Sequence, residues 1–196
     1  MQLKINGENV DITLEDEKTV GQVLKAFEEE AAKNSATTTN INLDGKDISA
    51  DEFDTILDLP LKDDTVIDLT VVSEIALAEN FRMSAENFNG LQKKLSEISF
   101  LLQSGKDSEA GKIIAFLADE IDIFLHTSRL ARLFPTLYAK VSIDGKDVNA
   151  FFEEFMPFLK DLEEALENKD TVTVGDLAEY EISPRLKQIA DSLKGI

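Results

Sequence analysis

The sequence predicts an α+β chain in two parts, a small sheet-and-helix unit over residues 1–73 and an antiparallel bundle of about four helices over 74–196. Three observations carry this expectation. The opening residues alternate apolar and polar, the period of half-buried strands. A β-branched run from Thr65 to Val72 closes the first part, and from Ser73 onward the apolar spacing lengthens to three and four residues, the period of helices that bury one face. A composition of 43% hydrophobic and 30% charged residues with four prolines belongs to a folded chain, because a disordered one lacks the apolar surface to offset its conformational entropy.

In the first part, Met1, Leu3 and Ile5 share one face, Asn6-Gly7 is a turn signal, and Val10, Ile12 and Leu14 share a face again, which makes a hairpin. Thr19 is a good N-cap for a helix over about 20–33 that carries Val20, Val23, Leu24 and Phe27 at helical spacing. The polar stretch Asn34 to Asn40 ends it. Ile41 and Leu43 then precede the turn Asp44-Gly45-Lys46-Asp47, a short segment at Ile48, a helical turn around Asp51 to Leu57, and the closing strand.

That ββαβ, turn, β order, together with Met1-Gln2, the run Ile12-Thr13-Leu14-Glu15, the capped helix and the ending Val71-Val72, resembles the ubiquitin-like β-grasp superfamily over residues 1–73. The resemblance implies the β-grasp fold. Members that act as modifiers or sulfur carriers do so through a terminal Gly-Gly, whereas here the last strand runs on as Ser73-Glu74-Ile75 and the sequence ends Lys194-Gly195-Ile196. Ferredoxin-type members need cysteines, which are absent. The use of the fold that remains is a binding module.

In the second part, Phe81, Phe88, Leu95 and Leu102 stand seven apart with Ser84, Leu91 and Ile98 between them, a seam that must face other helices and that Gly105-Lys106 ends. Asp107 or Ser108 caps a second helix running to about Phe134, before Pro135; its short connection to the first makes the two antiparallel neighbours. A longer connection from Pro135 to Val148 crosses over, with Val141 to Ile143 and Val148 available for a short hairpin. Asn149 caps a third helix in which Pro157 is expected to kink the axis or mark a restart. A fourth, with Thr173 and Asp176 at capping-box spacing, continues past Pro184; its start, Asp170 to Val174, reads as helix or as strand. The stretch Thr171 to Pro184 resembles segments of uncharacterised bacterial helical proteins. One echo links the two parts: Leu43 to Ala50 and Ile143 to Ala150 share an Asp-Gly-Lys-Asp turn at an offset of 100 residues, which reads as the ordinary chemistry of a turn before a capped helix or as the trace of a duplicated unit.

Charge and composition bound the function. The net charge of −19 comprises −11 through Ser73 and −8 beyond it, a field that repels phosphate backbones and anionic lipid, so neither nucleic acid nor membrane is an expected partner. Without cysteine there is no disulfide framework, thiolate nucleophile or cysteine-based metal site, and with no long apolar run the expected location is the cytoplasm. His126 is the single histidine; Asp122 precedes it by one turn, but position 123 is Ile where a bundle metal site needs a Glu-x-x-His motif. No catalytic constellation, cofactor site or metal site is expected, nor an enzyme.

Two sets of residues are the candidates. The aromatic set Phe134, Leu137, Tyr138, Phe151, Phe155 and Phe158 reads as core or as a partner-binding patch. The set His126, Arg129 and Arg132 is a local positive spot able to meet an anion. The expected function is a protein-protein interaction module, an acidic adaptor similar in general character to the small acidic helical chaperones of bacterial secretion, binding another protein. The alternatives are a small-molecule binder or enzyme with a site between the two parts, and a homodimer built on the heptad seam.

Overall fold

Asn6 and Gly7 both take positive φ, 53° and 82°, and the two-residue turn they make folds β1 (Gln2–Ile5) back onto β2 (Glu8–Val10). The computed structural model describes residues 1–11 and 16–196, so the expected strand positions Ile12 and Leu14 lie outside the described residues. Within them the chain is a mixed α+β protein that divides into two units, Met1–Ala76 and Leu77–Ile196.

Helix α1 (Val20–Lys33) has the bounds the sequence predicts because its start is fixed locally. The Thr19 hydroxyl accepts from the Gln22 N–H, and the Gln22 side chain accepts from the Thr19 N–H at 3.2 Å, a reciprocal capping box. Its apolar face, Val20, Val23 and Leu24, packs with Leu3, Leu43, Ile56, Ile67 and Leu69 to form the core of the first unit. At Gly21 a Cβ would come within 2.8 Å of the Leu57 carbonyl oxygen, which accepts the Gly21 N–H; only glycine admits this approach.

The next strand departs from expectation. β3 (Ala36–Leu43) begins five residues before Ile41, inside the stretch read as a polar terminator. Thr37, Thr38 and Thr39 are β-branched and suit an extended backbone, and their pairing partner β5 (Val66–Ser73) lies thirty residues on. The pairing runs antiparallel from Ala36 opposite Ser73 to Leu43 opposite Ile67, with a bulge between Thr38 and Asn40. β4 (Lys46–Asp47) pairs only with Asn42 and Leu43, and the helical turn α2 (Phe53–Ile56) follows. The sheet order is β2-β1-β5-β3-β4, with β1 and β5 parallel.

In the second unit the expected first helix is divided. α3 (Glu74–Leu95) stops at Ser96, whose hydroxyl donates to the Lys93 carbonyl at 2.8 Å, and α4 (Ile98–Gln103) resumes. α5 (Asp107–Ala131) starts from Lys106 without a side-chain cap; Asp107, read as a cap, is its first residue, where its charge complements the helix dipole. α5 also ends at Ala131, short of the expected Phe134, and Pro135 opens the short α6 (Pro135–Tyr138). The crossover then makes a turn at Asp144-Gly145 closed by an antiparallel bridge between Ile143 and Lys146, with Val141, Ile143 and Val148 buried.

α7 (Val148–Glu167) is capped by Asp147, not Asn149: the Asp147 carboxylate accepts the Asn149 N–H at 2.8 Å. The helix does not restart at Pro157, which is exposed on its outer face. α8 (Thr171–Asp176) is helical, so the strand reading of residues 170–174 does not hold. Its cap is Asp170, whose carboxylate takes both the N–H and the hydroxyl of Thr173. Gly175 lets α8 approach α4, since a Cβ there would sit 1.6 Å from the Ser99 hydroxyl oxygen. A π-helical turn, Leu177–Ile182, leads into α9 (Ser183–Ser192), and the Ser183 N–H reaches back five residues to Ala178. Pro184 explains the wider turn, because its ring cannot tolerate the carbonyl four residues back.

The seam predicted along α3 is buried, and phenylalanine joins the long helices: the rings of Phe81 and Phe88 on α3 each lie 5.9 Å from Phe124 on α5, which stacks on Phe152 of α7 at the same distance. Among the described residues no helix is long and apolar enough to cross a membrane.

Candidate functional site

The two residue sets read from sequence meet different fates. Phe134, Leu137, Phe151 and Phe155 are buried, and Phe151, Phe152 and Phe155 pack ring against ring. They complete the core of the second unit rather than present a surface. Tyr138 and Phe158 are half-buried and each is covered by a cation: Arg132 stands 5.6 Å from the Tyr138 ring and Arg185 3.9 Å from the Phe158 ring. The seam residues Phe81, Ser84, Phe88, Leu91, Leu95 and Ile98 are likewise buried, and Leu102 is half-buried.

His126, Arg129 and Arg132 are exposed along the end of α5, and no ion pair among the described residues involves them. Arg132 belongs instead to a small network in which the Tyr138 hydroxyl donates to Asp147 at 2.7 Å. That bond, then the Asn149 N–H and the Arg132 charge, hold the Asp147 carboxyl below the usual carboxylate range. No group of three or more acidic or histidine side chains among the described residues is placed to hold a metal ion.

A smaller cavity of the second unit, about 210 Å³, lies between Asp144, Lys146, Glu154 and Arg185. Its cations are already satisfied: Lys146 bonds both oxygens of Glu154 at 2.7 and 2.6 Å, and Arg185 pairs with Glu181 at 2.8 Å.

The larger space belongs to the first unit, an open groove of about 960 Å³. Three segments form it. α1 contributes Gln22, Lys25 and Glu28, β3 contributes Thr37 to Ile41, and the segment around α2 contributes Ile48, Phe53 and Leu57. Among the described residues the groove exists because β4 is two residues long and leaves the first half of β3 without a strand neighbour on that side. Its lining is mainly apolar, with Phe53 37% exposed to solvent, and the polar remainder is threonine, amide and serine side chains with the charged groups Lys25, Glu28 and Asp58. Glu28 reaches from α1 to β3, where one carboxylate oxygen accepts the Thr38 N–H at 2.8 Å and the other accepts the Thr37 hydroxyl at 3.4 Å. At the far end of β3 the Asn42 and Asn40 amides donate to Asp47 and hold its carboxyl low. Sequence reasoning missed this site. The threonine run was its one visible signal, a β-branched segment beside an Asp-Gly turn.

Comparison with known proteins adds the lineage. Residues 1–73 match a family described as the TP0873 N-terminal domain, and residues 79–192 match a domain of unknown function, DUF8042. A protein of Treponema pallidum (strain Nichols), described as uncharacterized, is 30% identical over 193 residues, which cover 98% of this chain and 96% of that one. No solved structure matches. With both parts matched in order, and a relative aligned from end to end, the chain belongs to the DUF8042 family, in the arrangement that joins this domain to a TP0873-type N-terminal domain.

Proposed function

We propose that the protein is a non-enzymatic interaction module, an acidic adaptor whose N-terminal unit is a ubiquitin-like β-grasp used for binding and whose C-terminal unit is a bundle built on α3, α5, α7 and the α8 to α9 stretch. The observation that carries the reading is the groove beside β3: an open, largely apolar trough bordered by strand backbone, in a segment of net charge −11. The sheet order with its parallel central pair supports the β-grasp assignment. The burial of the second unit's aromatics supports a scaffold role for it.

Affinity capture from the host's cytosol with the intact protein tests this, run beside a Phe53→Glu variant that places charge on the groove wall. The expected result is one stoichiometric partner held by the parent protein, weakened by salt, and lost by the variant. A partner held equally by both would place the interaction elsewhere and overturn the groove as its surface.

A further inference from the structure

The groove has one edge of unusual chemistry. Thr38 stands opposite Val71 in the sheet, but Val71 spends its N–H and carbonyl on the Asn6 side chain, at 2.9 and 3.2 Å. The pair therefore exchanges no ladder bonds, and the Thr38 peptide groups face away from β5 into the groove. The Thr38 N–H is met there by the Glu28 carboxylate, which occupies the place a neighbouring strand's carbonyl would take. A charged side chain turned onto an exposed edge is how sheets keep stray strands from pairing. β4, which extends this line of pairing, stops at Asp47.

We propose that the groove takes an extended, lysine- or arginine-rich segment of a partner protein, docked as an added strand along Thr37 to Asn40 of β3, with Glu28 as the group it displaces. This rests on the reading of the groove as the interaction surface and names its occupant. Four residues of strand span about 13 Å, room for two side chains toward the groove and two toward solvent. Those entering the groove meet Ile41, Ile48, Phe53 and Leu57 and are apolar. Those facing outward lie over a unit carrying six lysines against seventeen carboxylates through Ser73, and are basic. The freed Glu28 carboxylate then becomes a partner for one of them.

The test is a titration of the intact, isotopically labelled protein, followed by amide NMR, with a capped heptapeptide alternating lysine and valine and with its fully N-methylated counterpart. The expected result is saturable shifts centred on Thr37 to Ile41, with the N-methylated peptide weaker by at least about tenfold because it cannot donate to the strand edge. Thr38→Pro, which removes the outward N–H together with the threonine side chain, is expected to weaken the unmodified peptide similarly; the N-methylated probe carries the test should that variant misfold. Groove shifts insensitive to N-methylation would overturn strand addition while leaving the groove as a binding surface. Saturable shifts absent from the groove with either peptide would overturn both.

Discussion

Residues 43–48 and 143–148 are nearly the same peptide, and the structure folds them into nearly the same turn. Asp44 and Asp144 have φ of 53° and 52°, Gly45 and Gly145 have 88° and 74°, and an antiparallel bridge closes each turn between an apolar residue and a lysine. Each lysine then reaches forward to a glutamate, Lys46 to Glu52 and Lys146 to Glu154. There the likeness ends. Asp47 is drawn sideways to the Asn40 and Asn42 amides of β3, and only a four-residue helical turn follows, ahead of Pro60. Asp147, with no strand beside it among the described residues, caps a helix of twenty residues whose apolar face is supplied by Phe151, Phe152 and Phe155. A short motif dictates a turn; the neighbours of its last aspartate and the periodicity downstream dictate what the turn introduces.

The largest test of that comparison removes the apolar residue that anchors each turn. Ile143 is fully buried and Leu43 is 8% exposed. Ile143→Ala and Leu43→Ala are each expected to cost about 2–5 kcal/mol, with Ile143→Ala the greater, read by residue-resolved hydrogen exchange in the unit that carries the change. Equal and small losses, below about 1 kcal/mol, would mean that both turns stand on backbone geometry alone and that their apolar anchors are incidental.

The same contrast between local and distant causes separates what the sequence discloses from what it hides. The bounds of α1 are legible because Thr19 and Gln22 satisfy each other across one turn. The first half of β3 is not, because threonine reads as polar until Val71 and Val72, some thirty residues on, supply the pairing. The cap of α7 hides inside the turn motif, where Asp147 serves both, and the break after Leu95 leaves the apolar spacing unchanged. The groove is harder still. It is assembled from three separate segments and from the shortness of β4, and no linear pattern records where a strand neighbour is missing. The aromatic set had the opposite problem: its spacing fits a core as well as a surface, and only burial decides between them.

The two aspartates provide the next test. Asp147→Ala removes the cap and the Tyr138 bond together and is expected to cost about 1–2 kcal/mol, while Asp47→Ala, at an exposed carboxylate that caps nothing, is expected to shift the thermal midpoint much less. The pH dependence follows from the sign of the Asp147 shift. Its folded-state carboxyl is held low, so its contribution is complete above the unfolded value of about 4 and is lost as pH falls through the folded one. Stability of the parent protein should therefore fall more steeply below about pH 4 than that of Asp147→Ala. Parallel acid curves would mean that the Tyr138, Asn149 and Arg132 contacts together do not lower the Asp147 carboxyl in solution.

The smallest expected effect concerns the lysines, and it decides whether the forward ion pair belongs to the motif or merely accompanies it. Lys146 meets both carboxylate oxygens of Glu154, whereas Lys46 meets one oxygen of Glu52, whose carboxyl that contact and the Ser49 bonds hold low. All four side chains are more than a third exposed, so solvent and salt screen both pairs. Lys46→Ala and Lys146→Ala are each expected to move the thermal midpoint by less than about 2 °C. The difference between them should vanish near 0.5 M salt, where the screening length is about 4 Å. A larger, salt-resistant loss at Lys146 alone would tie the pair to the start of α7, making it a second device that distinguishes this turn from its counterpart in the sheet. Small and equal losses would leave Asp147 and the phenylalanine face as the whole cause of that difference.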